Sequence, residues 1–128
     1  MNRDNGYTTV EQSKNLAEIL PVESADMYYT ATMYGEQMRI LWTSWEVHLD
    51  FNDYIKKRHE YAVPCWSLAA LLGVLPQGTV LLHDINGLGY KCIKDIDTNW
   101  HNNTVDACVE MIVKLHESNL LVLSAIHE

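Results

Sequence analysis

The chain has 128 residues, 48% of them apolar, with seventeen acidic side chains against nine basic ones and a net charge of −8. The length suits one globular domain over residues 1–128, and the apolar share is too high for a disordered chain. The negative balance argues against binding nucleic acid phosphates or an anionic membrane surface, and it favours a basic partner.

The start, Met1 to Gly6, carries no apolar run behind a basic head, so no secretory signal is read there. Cys65, Cys92 and Cys108 are far apart, odd in number and without C-x-x-C spacing. They are expected to be free buried thiols of a reducing compartment, which points to the cytoplasm. Thr9 and Gln12 have capping-box spacing, and Leu16, Ile19 and Leu20 follow at helical intervals, so a helix is predicted over 9–20 with Pro21 ending it. Ser24-Ala25-Asp26 then opens one or two helical turns through Met27, Tyr28 and Tyr29.

Beyond Gly35, apolar residues alternate through Met38, Ile40 and Trp42, and again through Val47, Leu49 and Phe51. Period two predicts strand within 37–51, with a helix over 37–50 as the competitor. Residues 52–61 are polar, a loop or short surface helix carrying Lys56-Lys57-Arg58. The stretch Val63 to Pro76 is almost wholly apolar but shorter than the about 20 residues a bilayer needs. It predicts a buried core helix near 64–75, with Pro64 at its first position or Ser67 as cap, stopped by Pro76 and Gly78.

Thr79 to His83 reads as a strand, Asp84-Ile85-Asn86-Gly87 as a turn and Leu88 to Lys94 as the returning strand, a hairpin over 79–94. Asp95 to Asn103 is a loop containing Trp100. Asn103 or Thr104 caps a helix near 104–117, with Val105, Cys108, Val109, Ile112 and Leu115 on its apolar stripe. Asp106, Glu110, Lys114 and Glu117 are expected to face water, with Glu110 and Lys114 as an i,i+4 pair. Leu120 to Ile126 is a last strand or a segment that pairs with another subunit. The expected fold is α+β: a small antiparallel sheet, the 79–94 hairpin plus strands from 37–51, packed against the two main helices.

No motif for chemistry stands out. The six histidines have no H-x-x-x-H spacing, and a site from His83, Asp84 and His101 would need a fold that gathers them. Cys65 near a helix start would have its thiol pKa lowered, but its apolar neighbours raise it, so a structural cysteine is favoured over a nucleophile. Gly87-Leu88-Gly89 is too short for a phosphate cradle, and Asp95 with Asp97 reads as a solvated loop. Neither a cofactor nor a metal is expected.

Recognition has more candidates. Trp42 and Trp45 fall on opposite faces of a strand, so one is free to be a platform. Trp100, beside His101 in a polar loop, is the best exposed contact residue. Lys56, Lys57 and Arg58, near Tyr54 and Tyr61, could hold the phosphates of a small nucleotide, although a solvated positive face is the commoner use of such a run. The candidate ligand-binding residues are therefore Lys56, Lys57, Arg58, Trp45, Trp100 and His101.

Four blocks in order carry a resemblance: Thr-x-Glu-Gln-Ser-x-x-Leu at 9–16, Ser-Ala-Asp-Met-Tyr-Tyr at 24–29, Pro-Cys-Trp-Ser-Leu-x-x-Leu-Leu-x-x-Leu-Pro at 64–76, and Val-Asp-Ala-Cys-Val-Glu-Met-Ile at 105–112. Together they resemble a family of small uncharacterised proteins of phages, prophages and mobile elements of gut bacteria. The resemblance implies context and no catalytic residue. It leads to the expectation of a non-enzymatic binding protein that counteracts bacterial defence, by sequestering a nucleotide signal or docking on a basic defence protein, possible as a homo-oligomer. The alternative is a structural or regulatory protein-protein interaction module without a small-molecule ligand.

Overall fold

A computed structural model describes residues 6–34, 42–49 and 62–121. The elements in chain order are α1 (Val10–Ala17), a 3-10 turn (Val22–Ser24), β1 (Met27–Tyr34), β2 (Trp42–Leu49), β3 (Ala62–Cys65), α2 (Leu68–Val74), β4 (Val80–Asp84), β5 (Gly89–Lys94), β6 (Ile96–Asp97) and α3 (Thr104–Glu117). This is the expected α+β class, but the strands form two antiparallel sheets rather than one, in the orders β2-β1-β3 and β4-β5-β6.

Local chemistry sets most helix ends. Thr9 and Gln12 make the full capping box: the Thr9 hydroxyl accepts the Gln12 N–H at 3.1 Å, and the Gln12 side chain accepts the Thr9 N–H at 3.0 Å. Asn103 caps α3, its side-chain oxygen accepting the Asp106 N–H at 2.9 Å.

Two expected helical segments are corrected. Residues 27–29 begin strand β1, not helical turns, and β1 is the centre of its sheet, pairing with both β2 and β3. The β propensity of its tyrosines and threonines, together with two flanking strands, outweighs the helix-start signal of Ser24-Ala25-Asp26. The core helix begins at Leu68, as the Ser67 alternative has it, and not near Pro64. Pro64 lies on edge strand β3, where a missing N–H is tolerated. Ser67 is the cap, its hydroxyl accepting the Ala70 N–H at 3.1 Å while donating to Asp26 at 2.6 Å.

Within the 37–51 region the described residues form strand β2, Trp42–Leu49, with Trp45 opposite Ala31 and Trp42 opposite Tyr34. The 79–94 hairpin forms, its four-residue connection spanning Ile85 to Leu88. The loop after it is not wholly irregular, since β6 adds a short third strand. Lys56, Lys57 and Arg58, and all but the first two residues of the Leu120–Ile126 segment, lie outside the described residues.

One core joins the helices to the second sheet. Trp66, Leu16, Leu71, Met111, Ile112 and Leu115 are at most 1% exposed. α3 packs on β5 and α2, while α1 packs on β3 and reaches α3. Leu81, Tyr90 and Cys92 turn their side chains to this core. Among the described residues, no helix is long and apolar enough to cross a membrane.

At the junction of α1, β1 and β3, the buried Thr8 hydroxyl accepts the Trp66 N–H at 3.1 Å and lies 2.7 Å from the Ser13 hydroxyl. Tyr29 donates its phenol to the Thr8 carbonyl at 2.7 Å. Cys65 stands here at the end of β3, not in the first turn of a helix. Burial raises its thiol pKa, outweighing the Thr8, Ser13 and Tyr29 hydrogen bonds that lower it.

Candidate recognition face

The parity of β4 and β5 divides the second sheet into two faces. With Leu81, Tyr90 and Cys92 turned to the core, Val80, Leu82, Lys91 and Ile93 stand on the opposite face. Val80 and Leu82 are 48% and 39% exposed. At the hairpin end Ile85 and Leu88 are still more open, at 85% and 57%. Four large apolar side chains of one hairpin are thus left in water, and exposed apolar residues gathered on one element mark an interaction surface more often than scattered single ones do.

Trp100 belongs to this face. The Lys91 ammonium lies 5.0 Å from the centre of the Trp100 ring and 3.5 Å from the Asp97 carboxylate. The indole therefore carries a cation on one side, an arrangement that stabilises by about 0.5–1 kcal/mol at exposed sites.

His101, its neighbour, points elsewhere. Its Nε2 lies 2.6 Å from Glu110 Oε1 on α3. Glu110 also accepts the Asn99 N–H at 3.0 Å and the Asn99 side-chain amide at 3.3 Å, and pairs with Lys114 at 3.4 Å. Burial alone would push this carboxyl up, but His101, Asn99 and Lys114 together hold it below its ordinary value. The expectation that Glu110 faces water is thus corrected: it is the clamp that fixes the 99–101 loop to the helix. Asp106 is likewise engaged, accepting the Gln12 side-chain amide at 2.7 Å. The Glu110–Lys114 pair itself forms as expected.

Of the candidate ligand-binding residues, Trp100 and His101 are adjacent in sequence but serve different surfaces. Trp45 stands on the first sheet, and nothing in the described residues brings it to Trp100. Val80, Leu82 and Lys91 were not singled out from the sequence. The signal was present as an alternation in which the even positions of 79–84 meet the odd positions of 89–94, but only the fold shows which face the helices cover.

Other chemistry is spoken for among the described residues. His83 stacks on Tyr90 with ring centroids 4.4 Å apart. No group of three or more His, Cys, Asp or Glu is placed to hold a metal ion, and His83, Asp84 and His101 do not form one. Cys92 and Cys108 are free and fully buried, β5 facing α3. The neighbouring Cys92 thiol and burial both raise the Cys108 pKa.

Compared with protein-family models, curated proteins and solved structures, the chain finds no match.

Proposed function

We propose that the chain is a non-enzymatic binding protein that engages a protein partner through the open face of the β4–β5–β6 sheet. The observation that carries this is the alignment of Val80 and Leu82 beside the Lys91–Trp100 pair, continued by Ile85 and Leu88 at the hairpin end. Apolar side chains around an aromatic anchor, with Lys91 and Asp97 at its border, are the usual composition of a protein contact surface. The net charge of −8 favours a basic partner by steering its approach. The resemblance of four sequence blocks to phage and prophage proteins supports a role in countering a bacterial defence protein.

Sequestering a small nucleotide has less support. Lys91 covers one side of the Trp100 ring, and Glu110 already holds His101. Of the candidate residues, Trp100 and His101 are thus already engaged within the chain.

The test combines capture and titration. Tagged chain is used to capture proteins from a bacterial lysate, and each captured protein is purified and titrated by calorimetry. The expected result is a basic protein that binds the wild-type chain and loses about tenfold or more in affinity to Leu82→Glu, as hot-spot losses do, with Leu72→Glu on α2 as an indifferent control. Saturable heat with a cyclic dinucleotide or ADP-ribose that Trp100→Ala abolishes would overturn the proposal. So would a partner whose affinity ignores Leu82.

A further inference from the structure

Among the described residues β4 is the outer strand of its sheet, and the hydrogen bonds of β5 show which backbone groups its free edge offers. Tyr90 exchanges both of its backbone bonds with His101, on the side of β5 away from β4. The Cys92 carbonyl accepts the Thr98 N–H at 3.0 Å on that same side. Successive residues of an antiparallel strand direct their backbone groups to opposite sides. Gly89, Lys91 and Ile93 therefore face β4, where they pair with Asp84, Leu82 and Val80. The remaining β4 residues, Leu81 and His83, turn N–H and C=O outward, and among the described residues no strand pairs with them.

From Val80 to His83 this edge carries no lysine, no proline and no bulge, and its one carboxylate, Asp84, stands at the end of the strand. We propose that it pairs antiparallel with β4 of a second copy about a two-fold axis at Leu81, joining two three-stranded sheets into one of six. This goes beyond the docking proposal and does not depend on it.

Three observations select a second copy and this register. Centring on Leu81 brings the outward backbone groups of the two Leu81 residues together and sets His83 opposite Thr79 of the other copy. It also sets Val80 opposite Leu82 of the second copy and Leu82 opposite its Val80, so each exposed apolar residue meets another. Centring on Leu82 would instead oppose Val80 to Asp84. Finally, Asp84 falls opposite Gly78 of the second copy. The Lys94 ammonium lies over that glycine, 3.2 Å from where a β-carbon would stand. The pairing thus places a carboxylate beside an ammonium at both ends of the interface, a match that the two-fold repeats. Two open sheet faces would then become one continuous surface.

Sedimentation across a concentration series tests the association. The wild-type chain is expected to form a reversible dimer, weakened about tenfold or more by Leu82→Lys, which places a charge beside an apolar cross-strand neighbour. The register is tested independently of that variant. Opposed Val80 and Leu82 would form a non-hydrogen-bonded pair with Cα atoms about 4.5 Å apart, within disulfide range. The double variant Val80→Cys, Leu82→Cys, treated with oxidised glutathione, is expected to give a covalent dimer, and neither single variant does. A wild-type chain that stays monomeric, a dimer indifferent to Leu82→Lys, or a single-cysteine variant that cross-links would overturn the proposal. A monomer that still binds a protein partner through Leu82 would remove self-pairing and leave the docking proposal standing.

Discussion

The N–H of Tyr90 donates to the carbonyl of His101, and the N–H of His101 donates back to the carbonyl of Tyr90, each at 2.7 Å. This closed pair brings the backbone of the 98–102 loop against the start of β5. Gly89 sits at the point of contact with φ +101, and a β-carbon there would lie 2.0 Å from the His101 carbonyl oxygen.

Gly89→Ala is therefore expected to be severely destabilising, beyond the about 1 kcal/mol that left-handed backbone alone costs an alanine. Gly87, at φ +104 with nothing within 4 Å of its would-be β-carbon, provides the contrast. Gly87→Ala should lose only that backbone cost. Urea denaturation of the two variants side by side checks the difference.

Glu110 should give the fold an acid limb. Its folded pKa lies below the ordinary 4.5 of a free carboxyl. The stability it contributes is thus fully present above about pH 4.5 and is lost as pH falls through the lower folded value. Glu110→Gln should flatten that limb. Glu110→Ala should also cost about 1.5–3 kcal/mol at neutral pH, the range for hydrogen bonds to a charged group. Thermal melts from pH 7 down to pH 3 read both effects.

What the sequence revealed and what it hid divide along the range of the interactions. The capping box at Thr9 and Gln12, the Asn103 cap, the stripe of α3 and the hairpin were legible because each is decided within a few residues. β1 was misread because its central place depends on two partners distant in sequence. The sequence alone offers both Pro64 and Ser67 for the start of α2, because Pro64 suits both a helix opening and an edge strand, and Asp26, the residue that engages Ser67, lies 41 positions away. Glu110 looked like a solvated helix residue because its partners, Asn99 and His101, come from a loop with no periodicity. Trp100 stood out in the sequence as a candidate contact residue in the loop, but its Lys91 companion required the register of β5.

Thr8→Val should cost about 1–3 kcal/mol despite its similar shape. It leaves the Trp66 N–H without an acceptor in a site that water does not reach. Trp66→Ala should cost about 3–5 kcal/mol, since the ring is fully buried. Chemical denaturation of the two variants should rank them in that order.

The three thiols should be silent to DTNB in the native state and react together once the chain is unfolded in guanidinium, because Cys65, Cys92 and Cys108 are all fully buried. Colorimetric titration before and after unfolding checks this. A thiol that reacts at once in the native protein would contradict its burial.

The Gln12 amide and the Asp106 carboxylate that receives it are separated by 94 positions. On a ribosome, the first helix would be synthesised long before the acid that steadies it leaves the exit tunnel. The chain up to Trp66 must wait, with Leu16 and Trp66 not yet covered by the last helix, until that helix arrives. Such a chain is expected to be most vulnerable to proteases and to need chaperone shelter during synthesis rather than afterwards.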